Sequence, residues 1–186
     1  MIHQVISSEV VSSLRLLLNC RLGQIFISKG RVFHGSIGIL ESGKYCLLTF
    51  FKTKQIFIQL EFTFSQTPLY LVDTDSVQEV NIYSSQEPLK IDFERYKTNV
   101  IITPKFGAIE KINVYNHMYQ FNEDRPKVKY FRAIEFIDEQ KNHLVLERGD
   151  IPGSFNISIY QNDFLKVLLQ EDYEEEYKDY EIISIE

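Results

Sequence analysis

Tryptophan is absent from the 186 residues, and cysteine, proline and glycine number only two, five and eight. Two cysteines, Cys20 and Cys46, make no disulfide framework, so buried free thiols in a reducing compartment are expected. The four histidines, His3, His34, His117 and His143, are scattered. With no His-x-x-x-His pair and no Cys-x-x-Cys, no metal centre and no cofactor are expected. Gly-x-Ser-x-Gly is missing, and the glycines of "RVFHGSIG" (31–38) fit neither a phosphate loop nor a dinucleotide fingerprint. These absences lean against an enzyme, although catalytic groups assembled by folding leave no local motif.

Long apolar runs are lacking too. None approaches the roughly 18 residues that cross a bilayer, so no membrane segment is expected. "VVSSLRLLLNC" (10–20) is broken by serines and Arg15 and has no basic stretch before it, which makes a poor signal peptide. The expected location is the cytoplasm.

The formal net charge is −6, and its distribution matters more than its size. Residues 170–186 hold eight acids (Glu171, Asp172, Glu174, Glu175, Glu176, Asp179, Glu181 and Glu186) against Lys178 alone. Taking these from the 26 acids and 20 bases of the whole leaves 18 acids and 19 bases in residues 1–169. The body is neutral and the tail carries the charge. Asymmetry of this kind bears on partners and solubility. The densest basic stretch, Arg125, Lys127, Lys129 and Arg132, lies among Glu123, Asp124 and Glu135, so nucleic-acid binding is not expected.

What the chain has in quantity is alternation. In "QIFIQLEFTFS" (55–65), Ile56, Ile58, Leu60, Phe62 and Phe64 share one face, and polar residues occupy the other except for Phe57. That is a strand about ten residues long. "EVNIY", "LKIDFERY", "NHLVLE" and "SFNISIY" alternate likewise, separated by turn residues at 29–30, 42–43, 73–76, 98–99, 106–107 and 149–153. Strands starting every 10 to 15 residues leave no room for crossover helices, so consecutive strands should pair antiparallel. The longest loop is expected at "QFNEDRPK" (120–127).

The expected fold is mainly β, with some α: a single domain over 1–186, holding an antiparallel meander of about ten strands across 24–160. One open sheet of that size curls or splits, so a barrel or two packed sheets is expected. Lipocalin-type barrels carry a Gly-x-Trp signature, which a chain without tryptophan cannot have. Val10, Val11, Leu14, Leu17, Leu18 and Leu22 predict an amphipathic helix over 8–22, capped by Ser7 or Ser8 and stopped by Gly23. Asn162 caps a second, acidic helix over 162–180, whose stripe runs Leu165, Leu169, Tyr173, Tyr177 and Tyr180, and "EIISIE" ends the chain as an edge strand.

Two functional readings follow. In the first, Asp172, Tyr173, Glu174, Glu175, Glu176, Tyr177, Asp179 and Tyr180 form an interaction surface for a protein with a basic face, as in an inhibitor, immunity-type or adaptor protein. Clustered glutamates repel one another, and a helix needing only solubility would intersperse lysines. The plainer account of the same residues is a helix with tyrosines buried and carboxylates wetted. In the second reading, Tyr115, His117 and Tyr119, which share a strand face in "KINVYNHMYQF" (111–121), line a barrel that binds a small apolar or aromatic ligand. Aromatic neighbours on a strand also simply stack across the sheet.

Overall fold

The computed structural model describes residues 2–27, 30–33, 39–42, 45–53, 56–64, 78–85, 106–119, 128–148, 155–160 and 180–186. After a short strand β1 (Ile2–Gln4), Ser7 caps helix α1 (Ser8–Ser13), its hydroxyl accepting from the Val10 N–H at 3.2 Å. The helix is much shorter than the apolar spacing predicts. Ser13 turns its hydroxyl back onto the Glu9 carbonyl at 2.9 Å, the kind of competition that makes serine a weak helix former. A 3-10 turn (Leu14–Leu17) buries Leu14 and Leu17, and Asn19 ends it at φ 63°. Leu22 therefore belongs to a strand, β2 (Arg21–Ile27), and so does Gly23.

The described residues form twelve strands in two sheets. The smaller sheet contains β2, β5 (Tyr45–Thr53), β6 (Ile56–Phe64) and β7 (Gln78–Ser85), in the order β2-β5-β6-β7. The larger runs β12-β8-β9-β10-β11-β4-β3. Its strands are β3 (Gly30–Phe33), β4 (Ile39–Ser42), β8 (Ile109–Tyr119), β9 (Val128–Asp138), β10 (His143–Arg148), β11 (Phe155–Tyr160) and β12 (Tyr180–Ile185). All these pairs are antiparallel, which short connections require of the pairs consecutive in the chain, and the distant pairs β11-β4 and β12-β8 follow the same direction. β1 is the exception, lying parallel to residues 128–130 of β9, on the edge that β10 occupies from Ala133 onward.

Among the described residues no closed barrel forms. A barrel needs a continuous ladder around its circumference. Between these two sheets the described ladder amounts to the single bridge Arg21↔Ala108, flanked by bonds from Asn19 N–H to the Ile109 carbonyl (2.8 Å) and from Ile109 N–H to the Cys20 carbonyl (2.9 Å). The sheets instead share one core. Leu22, Ile25, Leu48 and Phe50 of the smaller sheet join Ile112, Val114, Phe131, Ile134, Phe136, Leu144, Leu146 and Ile185 of the larger, with Leu14, Leu17 and Cys20. Phe50 and Phe136 place their ring centroids 5.7 Å apart, tilted by 46°. Cys20 is a buried free thiol donating to the Leu16 carbonyl at 3.2 Å, and burial raises its pKa against the opposing pull of Lys52.

Three bulges set which side chains reach this core. Leu22 and Ile25 both point inward although three residues apart, because β2 carries an extra residue at Gly23-Gln24. Glu110 is the extra residue of β8, which brings Ile109 and Ile112 to one face, and Arg132 is that of β9, which does the same for Phe131 and Ile134. At the first bulge Thr49 substitutes for the ladder: its hydroxyl accepts from the Gln24 N–H at 2.8 Å and donates to the Gln24 carbonyl at 3.0 Å. A Cβ on Gly23 would lie 2.8 Å from that hydroxyl and 3.2 Å from the Thr49 carbonyl oxygen. Gly23→Ala is therefore expected to cost about 1–3 kcal/mol in a urea melt, since backbone or a double hydrogen bond must give way. An unchanged midpoint would mean that the bulge is soft.

Candidate functional site

β8 is the strand on which the polar chemistry of the larger sheet converges. On the face turned from the shared core, Asn113 stands opposite Glu135 of β9 and opposite Ser184 of β12. Tyr115 stands opposite Ala133, whose small side chain leaves room for the phenol to reach Glu135 two residues along. Glu135, 1% exposed, accepts from the Tyr115 hydroxyl at 2.6 Å and from Asn113 Nδ2 at 2.7 Å, both on Oε2. Its Oε1 lies 2.7 Å from His143 Nδ1 on β10, and the Ser184 hydroxyl donates to Asn113 Oδ1 at 2.8 Å. A transverse seam of hydrogen bonds thus crosses β12, β8, β9 and β10. Arg132 and Glu147 add an ion pair beside it.

A carboxylate on His Nδ1 is the arrangement that orients a histidine base. Here the same carboxylate also takes up a tyrosine and an asparagine from the neighbouring strand, a pattern that fixes strand register. The sequence signal was a lone acid inside the apolar run "AIEFI" (133–137), which alternation counts as merely polar.

Of the residues proposed for a ligand, Tyr115 and His117 are buried and Tyr119 ends β8, its side chain outside the described set. Tyr115 is bound to Glu135, and His117 stacks on Tyr180 with centroids 4.7 Å apart. The closed barrel that would have surrounded them is not formed among the described residues. Of the residues proposed for a partner, Asp172, Tyr173, Glu174, Glu175, Glu176, Tyr177 and Asp179 lie outside the described residues, as do the strand expected at 89–96, the loop at 120–127 and all but the last residue of the helix expected over 162–180. That last residue, Tyr180, is not helical: it opens β12, where pairing with His117 overrides the helical spacing. The expected edge strand "EIISIE" is β12 itself.

On the core face of the same strand pair, Asn116 stands between Phe131 and Glu181. Its Nδ2 donates to Glu181 Oε2 at 2.9 Å, and Lys129 Nζ reaches that same oxygen at 2.6 Å. None of these three was a sequence candidate for a site, because an asparagine, a lysine and a glutamate so far apart in the chain meet only through strand pairing. Lys111 and Glu186 close the exposed end of the β8-β12 ladder at 2.5 Å, which lowers the Glu186 pKa.

The other end of β9 is held by Asp138. Its Oδ1 accepts from the N–H groups of Gln140 (2.9 Å) and Asn142 (2.8 Å), and its Oδ2 from the Gly107 N–H (2.7 Å) and Asn142 Nδ2 (2.8 Å). Burial pushes its pKa up, but the Asn142, Gly107 and Gln140 hydrogen bonds outweigh burial and hold it below the usual range. A lowered folded pKa means stability that is present above the unfolded value of about 3.9 and lost as pH falls through the folded value. Asp138→Asn, which turns one acceptor into a donor facing N–H groups, is expected to cost about 1–3 kcal/mol at pH 7. The cost should shrink as pH falls from the unfolded value of about 3.9 through the lowered folded value, where the wild-type carboxyl protonates; a penalty that stays constant down to the most acid pH at which the protein still folds would contradict this account.

Among the described residues no group of three or more histidine, cysteine, aspartate or glutamate side chains is placed to hold a metal ion, and no helix is long and apolar enough to cross a membrane. Comparison of the chain with protein-family models, curated proteins and solved structures found no match.

Proposed function

We propose that the protein is a non-catalytic interaction module, of the inhibitor, immunity-type or adaptor kind, whose acidic and tyrosine-bearing segment, residues 170–181, receives a partner with a basic surface. The observation that carries this reading is the concentration of charge: eight acids and one base in residues 170–186, against near neutrality elsewhere. The segment runs straight into β12, the edge strand of the larger sheet, where Tyr180 stacks on His117 and Glu181 is held by Asn116. One end of it is thus tied to a rigid element, which reduces the ordering cost of binding. Charge of one sign steers a partner of the other and makes association fast and salt-sensitive.

The test compares wild type with the Glu174→Gln, Glu175→Gln, Glu176→Gln triple variant as bait in lysate capture, followed by association kinetics with the captured protein. Association is expected to slow about tenfold at low salt in the variant and to converge with wild type at high salt. Equal on-rates at low salt would sink the reading.

A further inference from the structure

Asn116 is 2% exposed, yet its Oδ1 has no hydrogen-bond partner; it is the only such side-chain atom among the described residues. Buried polar atoms are rarely left unpaired, because an orphan acceptor forfeits its hydration for nothing. Turning the amide over gives no relief, since its oxygen would then face the Glu181 carboxylate that Nδ2 now satisfies at 2.9 Å. What the atom lacks is a donor. Beside it the surroundings open to solvent: the Glu181 side chain is 46% exposed and that of Lys129 18%. Lys129 already rests its ammonium on Glu181 Oε2, so a cation is accommodated within reach of the amide. Glu181 is also the last residue of the acidic, tyrosine-bearing segment.

We propose that Asn116 and Glu181 receive an arginine side chain of the basic partner, which donates to Asn116 Oδ1 and to the Glu181 carboxylate while Lys129 swings out to water. This rests on the interaction reading above and gives it a specific docking point. Guanidinium suits this better than ammonium, because its planar fork carries five donors and can serve two acceptors at once. Long-range attraction brings the partner in. The orphan acceptor rewards one side chain in one position, which charge alone does not.

The probe is an octa-arginine peptide titrated calorimetrically into the full-length protein at low and moderate salt. Wild type is compared with Asn116→Leu and with the Glu174→Gln, Glu175→Gln, Glu176→Gln variant. Asn116→Leu is expected to weaken octa-arginine binding tenfold or more while its Tm equals or exceeds that of wild type, since an apolar side chain there leaves nothing orphaned. A residue with only a structural role would not pair lost binding with retained stability. Equal affinity of wild type and Asn116→Leu overturns the site and leaves the interaction reading standing if the triple variant is weakened. Absence of octa-arginine binding to wild type overturns both. Should Asn116→Leu fail to fold, the Asn116 side-chain amide resonances of 15N-labelled wild type decide: they shift on saturation with octa-arginine if the proposal holds, and unmoved resonances overturn it.

Discussion

Phe136→Ala is expected to lower the unfolding free energy by about 3–5 kcal/mol, the range for deleting a fully buried aromatic ring. Phe136 is inaccessible near the C-terminal end of β9 and faces Phe50 of the other sheet. Its loss removes apolar burial and opens a cavity between two sheets whose described ladder is a single bridge. The sheets are therefore held by side chains more than by backbone. A double-mutant cycle with Phe50→Ala should show a coupling of about 0.5–1.5 kcal/mol, since tilted rings at this separation attract beyond their buried area. Zero coupling in urea melts would show that the two rings do not pack as described.

Glu135→Ala is expected to cost as much, about 3–5 kcal/mol, by a different route. The substitution takes one hydrogen-bond acceptor from Tyr115, Asn113 and His143 at once, three polar partners brought to one carboxylate. The asymmetry of buried polar groups gives the check. Glu135→Leu combined with Tyr115→Phe and Asn113→Leu, which removes most of the seam at once, should recover much of the loss, because apolar replacement of a whole network is far less costly than breaking it. If Glu135→Ala alone were within 1 kcal/mol of wild type, the seam would contribute nothing to holding β8, β9 and β10 in register.

Much of the fold was legible because half-buried strands write themselves as alternation. β7, β10 and β11 stand where "EVNIY", "NHLVLE" and "SFNISIY" placed them, and β6 extends over nine residues from Ile56. The terminal edge strand was legible for the same reason. The helix over 8–22 misled because Leu18 and Leu22 keep helical spacing while Asn19 turns the backbone out of the helix, and tertiary pairing then claims Leu22. β1 was missed because three residues show no period. The barrel was left open as an alternative because alternation tells which face is apolar but not where one sheet stops. Of the site, sequence named Tyr115 and His117 for a ligand and Tyr180 for a partner. Register makes His117 and Tyr180 neighbours, and nothing local foretells register between strands more than 60 positions apart.

The bulges at Glu110 and Arg132 have a bearing on how this chain can change in length. A strand's two faces are a matter of parity, so deleting one residue normally exchanges inside and outside for everything beyond it. Glu110 offsets the β8-β9 ladder by one in one direction, and Arg132 cancels it in the other. Because each is the extra residue of a bulge, loss of Glu110 would bring Ile109 and Ile112 to ordinary two-residue spacing, and loss of Arg132 would do the same for Phe131 and Ile134, so every core residue would still face inward. Single deletions in β8 and β9 are thus expected to be tolerated at Glu110 and Arg132 and not at the positions between the bulges.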